Sequence, residues 1–398
     1  MRPLKPAIIQ RVVLRPLSIP LRTRVRHAAA DRSVADPVLV SVELTNGVVG
    51  YGEAVARPYV TGESAATVVE DVQSIFLPRL LNFHPPTFPE SLEAIDALPY
   101  RDGERLITAA RGMIELALLD ASMRHFGRDV GDIARWMGLP ELGAPGSLPS
   151  IRFSGVLAAH SLEGLRRRLR VMYWGGLRDF KLKVGLPNDR ARLQLVHRYL
   201  RRGLATGRCT LRADANGAWT LAQARHWLDM LGEMKLNALE QPLARGAEDD
   251  LPQLHNESHT RLLHDESLIT FEDAQRLIGL GVADYFNIRL SKCGGLLPAL
   301  RIAVLALRHD VGILLGCMVG ETSVLSAAAL RFLEVCPRVR WAEGLHGTYL
   351  LSADVIRPSL RFGCGGRPPR LSGQGWGLQP DPEQLRLLAA TDPTVFNL

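Results

Sequence analysis

Three lysines and three acidic residues carry the chemistry open to this sequence. Lys181 and Lys183 form a Lys-x-Lys pair inside Arg178-Asp179-Phe180-Lys181-Leu182-Lys183-Val184-Gly185. In a β-strand successive side chains alternate between faces, so both lysines point one way and Phe180 and Leu182 the other. Neighbouring ammonium groups repel, which lowers their pKa and favours a neutral amine, that is, a base. A solvated charge pair on an edge strand is the plainer explanation, and composition speaks against it. Of 48 Lys and Arg residues 43 are Arg, and the only lysines are Lys5, Lys181, Lys183, Lys235 and Lys292. Arg stays protonated, whereas a crowded or desolvated Lys titrates. Two lysines on one strand of an Arg-using chain therefore point to a titratable amine.

The acids follow at regular intervals. Asp214 lies in Arg212-Ala213-Asp214-Ala215-Asn216-Gly217, Glu240 in Leu239-Glu240-Gln241-Pro242, and Asp265 in His264-Asp265-Glu266-Ser267. Lys292 lies in Ser291-Lys292-Cys293-Gly294-Gly295. The steps from Lys183 through Asp214, Glu240 and Asp265 to Lys292 are 31, 26, 25 and 27 residues. Each is the length of one strand–helix unit, so the three acids would end neighbouring parallel strands and converge. Converging carboxylates repel and require a cation. Oxygen ligands suit a hard divalent ion, here Mg²⁺, with positions left for substrate and water. Lys183 and Lys292 would flank it. Singly, each acid is explained as well by a helix cap or a surface salt bridge; five strand ends in one phase are not. A substrate carboxylate held at such a centre yields a stabilised enolate when its α-proton leaves. A neutral Lys on one face removes that proton, and a Lys on the other returns it with inversion.

The elements that must position these residues are legible as apolar runs. Strands are expected at 153–157, 179–183, 209–214, 236–240, 261–265, 285–288, 313–316 and 338–343, with helical patterns between them, such as 221–231 and 297–308. This is an α/β pattern of the parallel barrel kind. A doubly wound open sheet would show a Gly-rich phosphate loop after its first strand, and none is present. Residues 7–56 read instead as three strands, with a hairpin turn at Thr45-Asn46-Gly47. A polar loop is expected at 22–33, holding Arg22, Arg24, Arg26 and His27, and a second at 54–64, holding Arg57, Pro58, Tyr59 and Gly62. Helix follows to about 127. The expected division is an N-terminal α+β domain over 1–145, a barrel over 146–357 after the Gly/Pro-rich junction 138–149, and a segment over 358–398 returning to the first domain. That last segment contains one amphipathic run, 382–388.

Bulk properties narrow the function. Hydrophobic content of 46% with 22% charged residues is ordinary for a soluble globular protein. The net charge of +7 is spread, apart from Arg166-Arg167-Arg168 and Arg201-Arg202. No nucleic-acid motif accompanies it, so a basic surface is expected and not a nucleic-acid partner. Five cysteines without C-x-x-C spacing read as reduced thiols of a cytoplasmic protein. The N-terminus shows no signal-peptide h-region. The longest apolar run, 300–320, is broken by Arg301, Arg308, His309 and Asp310, so no membrane span is expected.

As a set, these motifs resemble the enolase superfamily in its muconate-lactonizing-enzyme-like subgroup, within the mandelate racemase/muconate lactonizing enzyme group. The resemblance covers nearly the whole chain, including Gly50-Tyr51-Gly52-Glu53 and Gly375-Trp376-Gly377. It implies a modified (β/α)7β TIM-type barrel with an N-terminal α+β capping domain. It implies Asp214, Glu240 and Asp265 as Mg²⁺ ligands, Lys183 and Lys292 as the acid/base pair, and Lys181 as an aid at the substrate carboxylate. A mandelate-racemase-like protein would carry His after the seventh strand, where this chain has Leu315-Gly316-Cys317-Met318-Val319-Gly320-Glu321. Dipeptide epimerases of the subgroup carry Asp-x-Asp at the eighth strand end; this chain has Glu343-Gly344-Leu345-His346. That departure argues against typical dipeptide epimerisation and leaves Glu343 to bind an ammonium alone. Asn216, Glu321, Glu343, His346, Arg24 and Tyr59 are the candidate substrate contacts. The activity expected is Mg²⁺-dependent racemisation or epimerisation α to a carboxylate in a small amino-acid derivative or dipeptide, by a homo-oligomer. A cycloisomerase or dehydratase using the same site is the first alternative, and a non-catalytic barrel the second.

Overall fold

Eight short apolar runs form parallel strands at Gly155–Leu157, Asp179–Lys183, Thr210–Asp214, Ala238–Glu240, Leu262–His264, Tyr285–Ile288, Gly312–Leu315 and Val339–Ala342. The computed structural model describes residues 5–27, 30–143, 150–159, 161–186, 188–234, 236–256 and 260–398. The strands pair in chain order. A parallel bridge between Phe153 and Ala342, with Ser154 N–H donating to the Ala342 carbonyl at 2.8 Å, links the eighth strand to the lead-in of the first. Among the described residues seven helices alternate with them, from Leu162–Trp174 to Ser323–Val335. The eighth strand is followed only by the short 3₁₀ turn Gly347–Tyr349 before the chain leaves the barrel. This is the modified (β/α)7β barrel.

Covering both faces of a parallel sheet explains why its strands read as nearly unbroken apolar runs. Inside, Ala238, Leu263, Tyr285, Leu314 and Trp341 pack as one cluster. The Arg212 guanidinium lies 4.8 Å from the centre of the Trp341 ring. This plug fills the barrel below, so the charged residues gather at the C-terminal strand ends. Register sets their level: Lys183 pairs with Asp214 and Asp214 with Glu240.

The capping sheet consists of Ile9–Pro16, Val38–Leu44 and Val49–Ala54, with the C-terminal strand Thr394–Asn397 added antiparallel to the first. The amphipathic run near the C-terminus is the helix Pro382–Leu387, and the Leu388 carbonyl accepts the Ser18 N–H at 2.9 Å. The expected loop at 22–33 is instead a strand pair, Ile19–His27 with Ala30–Ala35. Its Arg content hid a period-two alternation in which Thr23 and Val25 face one way and Arg22 and Arg24 the other. The side chains of Arg26 and His27, residue Lys235 and junction residues 144–149 lie outside the described residues.

Cap and barrel are joined through helix ends. Glu53, fully buried, accepts from Thr322 N–H (2.8 Å), Thr322 Oγ1 (2.6 Å) and Leu325 N–H (3.0 Å) at the start of Ser323–Val335. Glu115, on the cap helix Thr108–Phe126, accepts from Leu296 N–H (2.5 Å) and Leu297 N–H (2.9 Å) at the start of Leu296–Arg308. A carboxylate at a helix N-terminus satisfies free N–H groups and meets the positive end of the dipole.

The helix Thr108–Phe126 also explains Gly50 and Gly52. A Cβ at Gly50 would collide with the Ala117 carbonyl, and one at Gly52 with the Met113 carbonyl. Gly47, by contrast, has a φ of +83° with nothing within 4 Å of an added Cβ. Gly52→Ala should therefore cost about 3 kcal/mol of stability through overpacking. Gly47→Ala should cost only about 1 kcal/mol through its left-handed backbone. Chemical denaturation followed by circular dichroism checks the order; equal losses would refute the close-packing account.

Candidate active site

The second and third strands deliver Lys181, Lys183, Arg212 and Asp214 to one interior, because alternate residues of each strand share a face. Glu240 ends the fourth strand, Asp265 follows the fifth, and Asn287 lies on the sixth with Arg289 just beyond it. All of these side chains are buried.

Each carboxylate is met by a cation. Lys181 Nζ lies 3.2 Å from Asp214 Oδ2, 3.2 Å from Glu240 Oε2 and 2.7 Å from Glu343 Oε2. Lys183 Nζ donates to Asp214 Oδ2 (2.6 Å) and Asn216 Oδ1 (2.9 Å). Lys292 Nζ donates to the Asp265 carbonyl (2.6 Å), Asp265 Oδ1 (2.9 Å) and the Asn287 carbonyl (2.9 Å). The Arg289 guanidinium contacts Asp265 Oδ2 and lies 4.0 Å from Glu240 Oε1. Asn287 Nδ2 donates to Glu240 Oε1 at 2.8 Å.

Lys181 does not behave as repulsion within the pair alone predicts. Burial pulls the Lys181 ammonium down, but Glu240, Glu343 and Asp214 outweigh it and hold it above its ordinary value. Burial lowers Lys292, to about 7. Carboxylates touching Lys181, which a reading of the pair by itself leaves out, decide the sign.

Glu343 is the eighth-strand acid. Its Oε1 accepts from Arg212 at 2.8 Å and its Oε2 from Lys181. Burial alone would raise its carboxyl, yet Lys181 and Arg212 hold it near 2. Both oxygens are committed to fixed cations.

A cavity of about 600 Å³ opens above this network. Lys181, Lys183, Asn216, Glu343, His346 and Tyr59 all line it, together with Glu266 and Arg289. Asp214, Glu240, Asp265 and Lys292 lie beneath that surface and do not line it. Asn216 ties the floor together: its backbone is left-handed (φ +47°), and its Nδ2 donates to Glu266 Oε1 at 3.1 Å. His346 packs edge-on to Phe362, with ring centres 6.1 Å apart, and burial lowers its pKa.

Two sequence candidates lie elsewhere. Arg24 pairs with Asp31 at 2.5 Å, and its strand neighbours Thr23 and Val25 face the cavity in its place. Glu321 turns back to its own loop, accepting the Met318 N–H at 2.5 Å, and does not line the main cavity. Arg289 and Asn287 were not singled out from sequence. Their signal was the period-two step Asn287-Ile288-Arg289 at the end of the sixth strand, obscured because Arg is common throughout.

The donor set suits a hard divalent ion: Asp214, Glu240 and Asp265 are fully buried oxygen donors on adjacent strand ends. Glu266 adds a buried Oε2 with no hydrogen-bond partner among the described residues. The side chains rest in a cation-paired arrangement. Among the described residues no three acidic, His or Cys side chains stand together as a ready coordination sphere. Lys181 and Arg289 supply the positive charge between the carboxylates.

Comparison with known proteins agrees with this architecture. The family profile "Mandelate racemase / muconate lactonizing enzyme, N-terminal domain" matches residues 9–133, and "Enolase C-terminal domain-like" matches 164–384. An N-succinyl-L-Arg/Lys racemase of Bacillus cereus is 26% identical over 315 residues, covering 78% of this chain and 80% of that one. Muconate cycloisomerase 1-2 of Acinetobacter lwoffii is 26% identical over 343 residues, covering 85% and 84%. A dipeptide epimerase from Cytophaga hutchinsonii, solved with Mg and the dipeptide D-Ala-L-Val, superposes with a TM-score of 0.82 at 21% identity, covering 98% and 100%. With its capping domain, its (β/α)7β barrel and both profiles in register, the chain belongs to the enolase superfamily, in the muconate-lactonizing-enzyme-like subgroup.

Proposed function

We propose that this protein removes and returns the proton α to a carboxylate, racemising or epimerising an N-acylated amino acid in a Mg²⁺-dependent reaction. The observation that carries this reading is the placement of three buried lysines around the buried carboxylates Asp214, Glu240 and Asp265, with Lys181 and Lys292 shifted in opposite directions. Lys181, held protonated by three carboxylates, suits binding of a substrate carboxylate. Lys292, lowered to about 7 by burial, suits proton removal and return. Lys183 faces the cavity from the other side of the acid cluster and is oriented by Asp214 and Asn216, which suits the opposing acid/base role.

Asp214, Glu240 and Asp265 would hold the ion, which when bound supplies positive charge to stabilise the enolate. Arg289 would have to yield its place beside Asp265 and Glu240, and that movement would also open the path to Lys292. Glu343 supports N-acylated substrates over free dipeptides. With one oxygen on Lys181 and the other on Arg212, its charge is already offset by two fixed cations, which weakens its pull on a substrate ammonium. One observation favours a second reading: Lys183 lines the cavity and Lys292 does not. A cycloisomerase or dehydratase using a single working base would meet that arrangement, as would the relationship to the Acinetobacter enzyme.

In D₂O with Mg²⁺, N-acylamino acids of both configurations should exchange their α-proton. Lys183→Ala and Lys292→Ala should each slow inversion about 10³-fold, the scale of a lost general acid/base. Nuclear magnetic resonance of the α-position reads exchange, and polarimetry reads inversion. Full inversion by either variant would sink the two-base mechanism, and a lactone product or loss of the stereocentre would decide for the second reading.

The ion can be tested without turnover. Calorimetric titration with Mg²⁺ should show binding that Asp265→Asn weakens. Arg289→Gln should tighten it tenfold or more, since a dication and a guanidinium about 4 Å apart repel by roughly 2 kcal/mol even in a water-like medium. Unchanged affinity in Arg289→Gln would mean that the guanidinium does not compete for the site.

A further inference from the structure

We propose that Arg168 anchors the far end of the substrate, and that the cavity takes a carboxylic acid carrying a second anionic group beyond an apolar body. The near end of this assignment rests on the proton chemistry proposed above; the far end rests on the cavity itself.

Arg168 lies on the helix Leu162–Trp174, which follows the first barrel strand. It lines the cavity together with Val171, Met172 and Gly175, the positions three, four and seven residues on, which share its helix face. Its neighbours Arg166 and Arg167 point to solvent. The other cations lining the cavity, Lys181, Lys183 and Arg289, are each paired with a carboxylate. Arg168 is half-buried and has neither a hydrogen bond nor an ion pair among the described residues.

The remaining cavity wall is largely apolar, with Val156, Leu177, Leu350 and Phe362 among its residues. Next to such a wall a guanidinium is less screened than at an open surface, and its planar fork fits a carboxylate with two parallel hydrogen bonds. A neutral arm leaves that fork unmet, and a cationic arm is repelled by it. The end of the substrate that reaches this helix is therefore selected for negative charge. Arg24, a candidate substrate contact from sequence, is already paired with Asp31.

Two matched pairs test this: N-succinylphenylalanine against N-butanoylphenylalanine, and N-acetylglutamate against N-acetylglutamine. The first places the charge on the acyl arm, the second on the side chain. The quantity read is the ratio of kcat/KM, anionic over neutral, for α-proton exchange in D₂O. In at least one pair the ratio should fall tenfold or more in Arg168→Gln, through KM and not kcat, and should be partly restored in Arg168→Lys. A ratio unchanged from the unaltered protein in both pairs overturns the proposal. If the unaltered protein exchanges none of the four acids, the proton-transfer reading fails, and calorimetric binding of the same acids with Mg²⁺ decides for Arg168. Tenfold weaker binding of either diacid by Arg168→Gln then upholds the anchor, and equal or absent binding overturns it.

Discussion

Lys181, Lys183, Lys292, Arg212 and Arg289 meet Asp214, Glu240, Asp265, Glu266 and Glu343 at one end of the barrel, and every one of these side chains is buried. Burying an ion costs several kcal/mol unless partners offset it, so none of them can be placed independently. The five positive and five negative formal charges cancel. Under the proposed function this balance has a chemical use. Asp214, Glu240 and Asp265 would hold a dication, whose two charges would offset the two of an enolised carboxylate once Lys292 has taken the proton. Within the chain itself, Arg289 lies against Asp265, and Lys181 lies between Asp214, Glu240 and Glu343.

Holding so many charges at fixed positions requires a rigid frame, and the sequence provides it in two ways. Below the charges, Tyr285, Leu314 and Trp341 fill the barrel, so the charged layer has nothing soft to sink into. Beside them, cap and barrel share carboxylates at helix N-termini. Glu53 and Glu115 fix the starts of the helices Ser323–Val335 and Leu296–Arg308. Those helices adjoin the loops that carry Glu321 and Lys292. A cap that closes over the cavity is thus keyed to the strand ends that form its floor.

Much of this was legible because barrel geometry turns sequence spacing into position. A step of about one strand–helix unit maps to the next strand end, so Lys183, Asp214, Glu240, Asp265 and Lys292 could be placed as neighbours from their numbers alone. What could not be read depends on pairs distant in sequence. Arg212 and Glu343 are separated by 131 residues, and only closure of the barrel brings them to 2.8 Å. That contact sets a fixed cation against Glu343 that its neighbours in sequence do not reveal. The strand pair at 19–35 was misread because its arginines suggested a loop, although the alternation that places Thr23 and Val25 at the cavity was present. The electrostatics of the Lys-x-Lys pair depended on acids from three other strands, which no local reading contains.

The contrast between Lys and Arg that marks this sequence has a physical sense once the site is assembled. Arg212 and Arg289 stand where a charge must persist: one bonded to Glu343 over the Trp341 ring, the other against Asp265. A guanidinium keeps its proton through burial that would neutralise an amine. Lys292 shares that burial and is lowered to about 7, so it can give up a proton. Lys181 keeps its proton only because Glu240, Glu343 and Asp214 surround it. Replacing Lys292 with Arg would preserve the charge balance of the mouth and abolish its exchangeable proton. The two residue types, interchangeable over most of a protein surface, therefore divide this site into charges that hold the structure and charges that move a proton.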